Sequence, residues 1–466
     1  MQCFVILVNL FFATPQNLRL SLQLQLLDFV VVFAGPRRQE ANYSKAGTGL
    51  ARGSTTLRVA YPPYNPALTI QPDTMKLFSI LIADRPASDV AALPPIVARN
   101  VASFREHHPA LPHLLYDQDA IRDFLRTHME ADVAWAFEEL LPYAYRADLA
   151  RLCLLHEFGG AYADLSVFFH APLPVASGKL AIFRDRAVHA PWIVSNTIIA
   201  APPRLSAFEA AIRMIVANCC KRYRGASSLC PTGPMLFGKA IALHCEPEQI
   251  HLGEVINLAQ RDNTETLAFI DATDGRMIGY RTKSAAGLQE LGLAEGVNNY
   301  NDFYYAHLVY AADYPVRMLS SYLARHGRTG GAIQDGQLIL QGAEGATNAG
   351  AISEASPGAA VCHLPLPFAA GRHRLLLALA EGCAGELTLR AGVQGSGQVL
   401  AEVRVRIDSA AAAAVALPLD LAVSRKDIVV GILAGVGAHL RIVELQIERL
   451  PREHLPHARL PHETAT

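Results

Sequence analysis

An alternation of short apolar segments with longer helical patterns begins at Lys76 and constrains the fold more than any other feature of this sequence. Lys76–Ala83 has the length of a buried strand, and Ile96–His107 has a helical pattern. The alternation continues to about Tyr310, which is typical of an α/β domain. The further predicted elements are the strands His113–Tyr116, Ala161–Phe169, Ala181–Arg184 and Val194–Ala200, and the helices Asp119–Thr127 with an acidic cap at Asp117 or Asp119, Val133–Phe158 with a break at Pro142, Leu205–Arg222 and Pro234–His244.

A two-residue periodicity replaces this pattern after residue 325. Apolar and polar side chains alternate along Glu386–Ala391, Val403–Ile407 and Val443–Glu448, as expected for strands with one buried face. Turn residues separate these segments, so the sequence predicts an all-β sandwich of jelly-roll-like architecture. Because the alternation is complete without help from the α/β part, we expect this sandwich to fold on its own.

The N-terminal segment differs from both regions. Phe4–Ala13 is apolar but short and follows no basic residue, so it is a poor match to a secretion signal. No stretch of the chain reaches the roughly 18 apolar residues of a membrane-spanning helix. We therefore expect a disordered or non-native extension that ends before a true start at Met75. The predicted organisation is an extension at 1–74, an α/β domain at 75–325, a linker at 326–332, a sandwich at 333–450 and a disordered tail at 451–466.

The charge balance and the cysteines exclude several classes of protein. The chain has 41 Lys and Arg against 42 Asp and Glu, and a net charge of −1 argues against a nucleic-acid binder or a polybasic membrane binder. The eight cysteines are scattered and form no CxxC pair, which argues against a disulfide or zinc framework. This pattern indicates a reducing compartment, and we expect the cytoplasm.

One segment, Tyr145–Val167, combines several residues that are suited to chemistry. Asp148 and Arg151 are three residues apart and share one face of a predicted helix. Gly159-Gly160 then ends the helix, since glycine adopts a positive φ at little cost. In the strand that follows, Tyr162, Asp164 and Ser166 are predicted to point to the same side, near the edge where α/β sheets bind ligands.

Each of these features taken alone also has a purely structural interpretation. An Asp/Arg pair at this spacing is commonly an ion pair on a helix surface, and a Gly-Gly helix terminator is common. It is the combination of both with the polar strand that indicates a functional site.

In this combination the chain resembles the glycosyltransferases whose sugar-binding region contains a DXD motif. They include bacterial capsule and lipopolysaccharide sugar transferases, yeast-type α-mannosyltransferases and the clostridial glucosylating toxins. The family pattern Asp-x-x-Arg, Gly-Gly-x-Tyr, Asp-x-Asp corresponds here to Asp148–Arg151, Gly159–Tyr162 and Asp164–Ser166. The resemblance implies a GT-A type fold over about Lys76–Tyr310, a nucleotide-sugar donor, a divalent cation and retention at the anomeric carbon.

The resemblance also implies roles for individual residues. Asp148 and Arg151 would hold hydroxyls of the donor sugar, and with Asp164 they form the expected catalytic set. Asp164 would contact the ribose or the metal, and Tyr162 would line the nucleotide pocket. Further donor or acceptor contacts are expected from Asn196 and from the Thr232-Gly233 turn, although a Thr-Gly-Pro turn is equally often structural.

The sequence departs from the family pattern at the expected metal site. Ser166 replaces the second aspartate, and a hydroxyl is a weak ligand for Mn²⁺ or Mg²⁺, which prefer carboxylates. Ser79–Ala83 replaces a family strand that carries an aromatic residue. Asp302 or His307 is expected to supply a further ligand, so the predicted metal set is Asp164, Ser166, Asp302 and His307.

The sequence therefore predicts a retaining, hexosyltransferase-like glycosyltransferase that uses a nucleotide sugar in surface polysaccharide synthesis. The acceptor is expected to be a glycan or a lipid-linked glycan, with peripheral association at the inner face of the membrane. The sandwich would bind the acceptor or a partner, or only pack against the α/β domain. The alternative is a non-catalytic protein that binds a sugar nucleotide or glycan through a degenerate DXD motif.

Overall fold

The computed structural model describes most of the chain between Met75 and Leu450. The described ranges are 75–84, 93–174, 178–185, 192–261, 264–284, 287, 289–293, 296–320, 322–323, 327–329, 331–342, 358–364, 366–409 and 411–450. All of them belong to one compact unit. The predictions for residues 1–74 and 451–466 lie outside these ranges and stay predictions.

The α/β part of the chain contains helices and strands in alternation, as predicted. Its helices are α1 (Pro95–Glu106), α2 (Gln118–His128), α3 (Ala131–Glu139), α4 (Tyr143–Phe158), α5 (Ser206–Lys221), α6 (Pro234–His244) and α7 (Tyr300–Tyr305). Its strands are β1 (Lys76–Leu81), β2 (His113–Asp117), β3 (Gly160–Ala163), β4 (Val167–Phe169), β5 (Leu180–Arg184), β6 (Ile198–Ala201), β7 (Ile250–Arg261), β8 (Thr264–Asp271) and β9 (Met277–Ser284).

Local signals in the sequence account for the helix ends. The Asp117 carboxylate accepts hydrogen bonds from the backbone N–H groups of Asp119 and Ala120 and thereby caps α2. Pro142 separates α3 from α4, because proline cannot donate within a helix. Gly159 ends α4 with a φ of 63°. These predicted boundaries are confirmed.

The nine strands form one mixed sheet in the order β2-β1-β3-β6-β5-β7-β8-β9-β4. β1 pairs in parallel with β2 and β3, whereas β7, β8 and β9 follow one another as antiparallel hairpins. β4 lies at the far end of this order, yet only Asp164–Ser166 connect it to β3. A three-residue connection spans at most about 14 Å from Ala163 to Val167, so the sheet must curl until its end lies beside β3.

Two strand predictions are wrong in detail. Ala161–Phe169 is not one strand, because β3 ends at Ala163 and a turn follows, closed by a 3.1 Å hydrogen bond from Val167 N to Asp164 O. Asp164 and Ser166 therefore lie in this turn instead of extending the strand face of Tyr162. The strand predicted at Val194–Ala200 begins only at Ile198.

Both faces of this sheet are covered by apolar side chains. Tyr162 of β3 packs into the core shared with α4, α5 and α6, whereas Ala161 and Ala163 face a second core with Phe169 and Phe269. A strand buried on both faces is fixed in position. β3 is such a strand, and it therefore positions Tyr162 and the start of the turn at Asp164.

The C-terminal half is an all-β structure, as predicted. Its strands are β10 (Val316–Leu319), β11 (Gly327–Thr329), β12 (Ala332–Gln334), β13 (Gln337–Gln341), β14 (Ala359–His363), β15 (Gly371–Leu379), β16 (Cys383–Val393), β17 (Val399–Ser409), β18 (Ala413–Leu421), β19 (Ile428–Ala434) and β20 (His439–Arg449). Two layers, β17-β16-β19-β14-β11 and β18-β15-β20-β13-β12, face each other across one apolar core. This is the arrangement of a β-sandwich.

The sandwich takes strands from segments that the prediction assigned elsewhere. β10 pairs antiparallel with β20, although Val316–Leu319 falls within the predicted α/β domain at 75–325. Gly327–Thr329 and Ala332–Gln334 pair with β14 and β13, so the predicted linker at 326–332 contributes two short strands. The other domain limits stay predictions. Within the described ranges, no helix is long and apolar enough to cross a membrane.

Candidate functional site

The helix α4 and the strand β3 are joined by a turn that only glycine can form here. Gly160 has a φ of 102°, and a Cβ on it would lie 2.0 Å from the Lys76 carbonyl oxygen of β1. The turn therefore brings β3 directly against β1. As a result, Asp148 and Arg151 on α4 face the loop that leaves β3 at Asp164.

Asp148 is a buried carboxylate with three partners. Asn196 Nδ2 donates to its Oδ1 (3.2 Å), Thr232 Oγ1 donates to its Oδ2 (2.9 Å), and Arg151 Nη2 lies 3.4 Å from Oδ1. Burial raises the pKa of Asp148, and the arginine and the two hydrogen bonds offset only part of that rise. Gly233 follows closely, since a Cβ there would lie 3.4 Å from Asp148 Oδ2.

Arg151 links the helix to the turn after β3. Its Nη1 lies 3.4 Å from Asp164 Oδ1 and also donates to the Asn196 carbonyl, while its Nε donates to the Ala147 carbonyl (3.1 Å). The guanidinium lies 4.5 Å from the ring centroid of Tyr162. Burial would lower the pKa of Arg151, but its anionic neighbours outweigh burial and the pKa is raised. The cation is thus kept charged inside the protein.

Asp164 is the most exposed member of this group, with a quarter of its side chain accessible. Its Oδ1 accepts a 2.6 Å hydrogen bond from the Tyr162 hydroxyl, and its Oδ2 accepts one of 3.2 Å from Arg281 Nη1. Burial raises the pKa of Tyr162, which therefore acts as a donor. Asp164 is consequently held by one phenol and two arginines.

Arg281 belongs to this group, although the sequence did not indicate it. It lies on β9 opposite Val167 of β4, so the curl of the sheet carries it to Asp164 from 117 residues away. Nothing in the local sequence Met277–Ser284 distinguishes it from other polar residues of an antiparallel hairpin. Only the pairing of β4 with β9 would have revealed it.

Two buried polar atoms of the group have no hydrogen-bond partner in the described part of the chain. They are Asn196 Oδ1 and Arg281 Nε, one acceptor and one donor. Buried polar atoms are nearly always paired in a native protein. The unpaired acceptor and the unpaired donor leave this site able to hydrogen-bond a water molecule or a polar ligand.

Aromatic side chains lie beside Asp148. The rings of Tyr145 and Tyr300 are 5.8 Å apart, and the Tyr145 hydroxyl donates to the Ser228 carbonyl (2.6 Å). Tyr300 comes from α7, which Asn299 caps through its side chain. Burial raises the pKa of Tyr300, so its hydroxyl is neutral and can donate.

The structure brings together most of the predicted residues but not the predicted metal ligands. Asp148, Arg151, Tyr162, Asp164, Asn196, Thr232 and Gly233 form one connected group. Asp302 instead lies 3.4 Å from Lys426 Nζ, and the His307 carbonyl accepts a hydrogen bond from Arg224. Ser166 lies two residues beyond Asp164, in the turn.

This donor set does not fit a divalent cation. Mn²⁺ and Mg²⁺ favour several oxygen ligands, carboxylates above all. Across the described ranges, no three His, Cys, Asp or Glu side chains are grouped so that they could hold a metal ion. Asp164, the one predicted carboxylate ligand in the group, already accepts from two arginines and a tyrosine.

The comparisons with known proteins each cover only a part of the chain. Residues 89–187 match the family model described as capsular polysaccharide synthesis protein, and this range contains Asp148, Arg151 and Asp164. No curated protein matches the sequence. The solved structures that it resembles include "PaToxG Glycosyltransferase", at 15% identity over 36% of this chain and 69% of that chain, with a TM-score of 0.27.

Other similar structures are carbohydrate-binding modules. The C-terminal CBM6 of LamC from Zobellia galactanivorans is 9% identical over 29% of this chain and 100% of that chain, with a TM-score of 0.21. The CBM35 from Cellvibrio japonicus Abf62 is 17% identical over 29% of this chain and 92% of that chain, with a TM-score of 0.18. The family-model match thus relates the segment that carries Asp148, Arg151 and Asp164 to capsular polysaccharide synthesis proteins.

Proposed function

We propose that this protein is a retaining glycosyltransferase that moves a sugar from a nucleotide-sugar donor to a hydroxyl of a glycan acceptor in surface polysaccharide synthesis. The observation that carries the proposal is the buried group in which Asp148, Arg151 and Asp164 meet. The family-model match, which covers this segment, supports the same class of reaction. The GT-A type fold and the hexosyl donor are part of the proposal.

The contacts of the group suggest how it would hold the donor. The Asp148 carboxylate and the unpaired Asn196 Oδ1 are acceptors, and sugar hydroxyls can donate to both. Arg151 donates to the Asn196 carbonyl and to Asp164, so its position between the two acceptors and the turn is fixed. Asp164 and Tyr162 would face the ribose. A sugar held by several fixed groups is oriented for attack, which is a large part of the catalytic effect.

The stereochemical proposal follows from the state of the carboxylates. A double displacement needs a carboxylate free to attack the anomeric carbon, but Asp148 and Asp164 both accept from an arginine and from further donors. We therefore favour attack of the acceptor hydroxyl on the face that the diphosphate leaves. The bond from the anomeric carbon to the phosphate oxygen breaks, the acceptor oxygen bonds to that carbon, and its proton passes to the departing phosphate.

The cellular setting is proposed on chemical grounds. The cysteines that the structure describes are unpaired, including the buried Cys153 and Cys219. Free thiols are the rule in a reducing compartment. We therefore propose a cytoplasmic enzyme that works on a glycan or lipid-linked acceptor at the inner face of the membrane.

The test is a donor screen on the full chain followed by a turnover assay. Thermal shift with UDP-, GDP-, CMP- and dTDP-sugars identifies the donor, and release of the nucleotide, with and without Mn²⁺, measures the reaction. Asp164→Asn keeps the shape of the side chain but removes its charge, so turnover should fall on the order of a hundredfold. Asp274→Asn is the control, because Asp274 also faces an arginine but is exposed.

The outcomes separate the candidate functions. Full turnover in Asp164→Asn would show that the site is not catalytic. A donor that stabilises the protein and is never cleaved would instead favour a non-catalytic sugar-nucleotide-binding protein. Ser166 in place of the second acid is the feature that favours this alternative.

A further inference from the structure

Two arginines lie on either side of Asp164 where the family pattern expects a metal ion. Arg151 Nη1 is 3.4 Å from Asp164 Oδ1, and Arg281 Nη1 is 3.2 Å from Oδ2. Both guanidiniums are largely buried, with side chains 7% and 19% exposed. A cation on the Asp164 carboxylate would meet two positive charges at short range, in surroundings that screen them weakly.

Arg281 has hydrogen-bonding capacity that the protein itself does not use. Its Nε is buried and has no partner among the described residues, while its Nη1 donates to Asp164. The planar guanidinium presents its donors as a fork that matches two phosphate oxygens. An unpaired donor beside a carboxylate that is one-quarter exposed is thus a place for an anion that can replace or join Asp164.

We infer that Arg281 binds the donor diphosphate and, with the buried charge of Arg151 close by, neutralises it without a divalent cation. This inference rests on the proposed function, because it assigns a role within the same site. When the bond between the anomeric carbon and the phosphate oxygen breaks, the electron pair stays on that oxygen. Arg281 stabilises the resulting charge, and the proton of the acceptor hydroxyl ends on the same phosphate.

The experiment is calorimetric titration of the full chain with UDP, GDP and dTDP and with inorganic diphosphate, in EDTA and in Mn²⁺. Binding in EDTA is expected, with Mn²⁺ changing the affinity less than about threefold. Arg281→Gln should weaken binding in EDTA by about ten- to a hundredfold, the range for a lost hydrogen bond to a charged group. Arg281→Lys keeps the charge and should recover part of the affinity.

Matched variants separate this role from a structural one. Arg276→Gln is the control, because Arg276 lies on the same hairpin and also faces an aspartate, Asp274, but is exposed. Asp164→Asn releases Arg281 from its partner, so inorganic diphosphate, which has no ribose, should bind to this variant in EDTA at least as tightly as to the unmodified protein. If Asp164 instead held a metal ion, diphosphate binding to this variant would weaken in Mn²⁺.

Each outcome bears on either the inference or the proposed function. Nucleotide binding that requires Mn²⁺ and is unchanged in Arg281→Gln would overturn the inference and leave the glycosyltransferase in place. The inference would also be overturned if Arg281→Gln lost binding together with a large drop in melting temperature and Arg281→Lys recovered no affinity. The loss would then come from a damaged fold. No nucleoside diphosphate binding under either condition would reject the proposed function itself.

Discussion

Thr232 is one of three residues, with Arg151 and Asn196, that favour the charged form of Asp148. Its side chain is fully buried and donates to Asp148 Oδ2, a carboxylate whose pKa is already raised by burial. A donor to a carboxylate favours the ionised form. Loss of the Thr232 hydroxyl should therefore raise the pKa of Asp148 further.

Thr232→Val tests this contribution, because it keeps the shape of the side chain and removes only the donor. If catalysis needs Asp148 ionised, the acidic limb of the kcat/KM profile should move up by about one pH unit, and the unfolding free energy should fall by about 1 kcal/mol. Thr282→Val on β9 is the control, since Thr282 is exposed. An unchanged pH profile with the same loss of stability would mean that Thr232 only packs.

The sequence predicted most of the residues of the site but not their geometry. Asp148, Arg151 and Tyr162 could be found because helix and strand periodicity, together with a Gly-Gly turn, relate near neighbours. Asp164 was assigned to a strand and lies in a turn, because the short connection to β4 ends the strand at Ala163. Arg281 was missed, since no local pattern reports a contact across 117 residues.

At the scale of elements, the Gly159-Gly160 turn sets the distance between α4 and the sheet. Gly160 combines a φ of 102° with a hypothetical Cβ contact of 2.0 Å to the backbone of Lys76, so β1 could not pair with β3 beside a larger residue. Both the strand pairing and the turn therefore require a residue without a Cβ atom at position 160. Sequence reasoning could assign the turn from Gly-Gly alone but could not show that β1 lies against it.

Gly160→Ala should accordingly unfold the α/β part, with a loss above about 4 kcal/mol, since both backbone strain and a backbone clash arise. Gly275→Ala is a matched control, because Gly275 has a φ of 73° and open space around its Cβ position. Strain alone should cost about 1–2 kcal/mol there. Urea unfolding compares the two, and equal losses would show that the contact with Lys76 is not what requires glycine.

On the scale of the whole molecule, the sandwich is not a detached module. The Asp84 carboxylate, just beyond β1, accepts from Ser424 N (2.9 Å) and Ser424 Oγ (3.0 Å), and also from the Tyr143 hydroxyl at the start of α4. Val297 N donates to the Ser424 carbonyl (2.8 Å). The loop before β19 is thus bonded to the end of β1, to α4 and to the segment that leads into α7.

A glycan-binding role for the sandwich finds little support in its composition. Residues 333–450 contain a single aromatic residue, Phe368, and its side chain is 1% exposed. Flat apolar surfaces of ligands are commonly covered by exposed aromatic rings. Residues 333–450 have none, and Tyr314 and Tyr322, which precede them, pack against the sandwich core. We therefore favour the interpretation that the sandwich packs against the α/β half and supports it.

The sandwich and the α/β half also share an apolar cluster, in addition to the hydrogen bonds around Ser424. Ala369 of the sandwich is buried with Leu141, Phe303 and Leu308 of the α/β half. The two regions also share a buried hydrogen-bond network. We expect them to unfold together, because neither region can unfold without exposing apolar and polar groups of the other. The independently folding sandwich expected from the sequence stays a prediction, because periodicity within strands says nothing about which loops bury against another region.

Ala369→Asp should break the coupling between the two halves. Calorimetry of the unmodified chain should give one unfolding transition. A carboxylate buried in the shared cluster should destabilise the contact by several kcal/mol, so the variant should unfold in two transitions. Ala414→Asp is the control, because Ala414 lies on β18 and is exposed. Two separate transitions in the unmodified chain would show that the sandwich is autonomous. The hydrogen-bond network around Ser424 also holds Tyr143 at the start of α4, the helix that carries Asp148 and Arg151. Ala369→Asp should therefore also lower donor affinity, whereas Ala414→Asp should leave it unchanged.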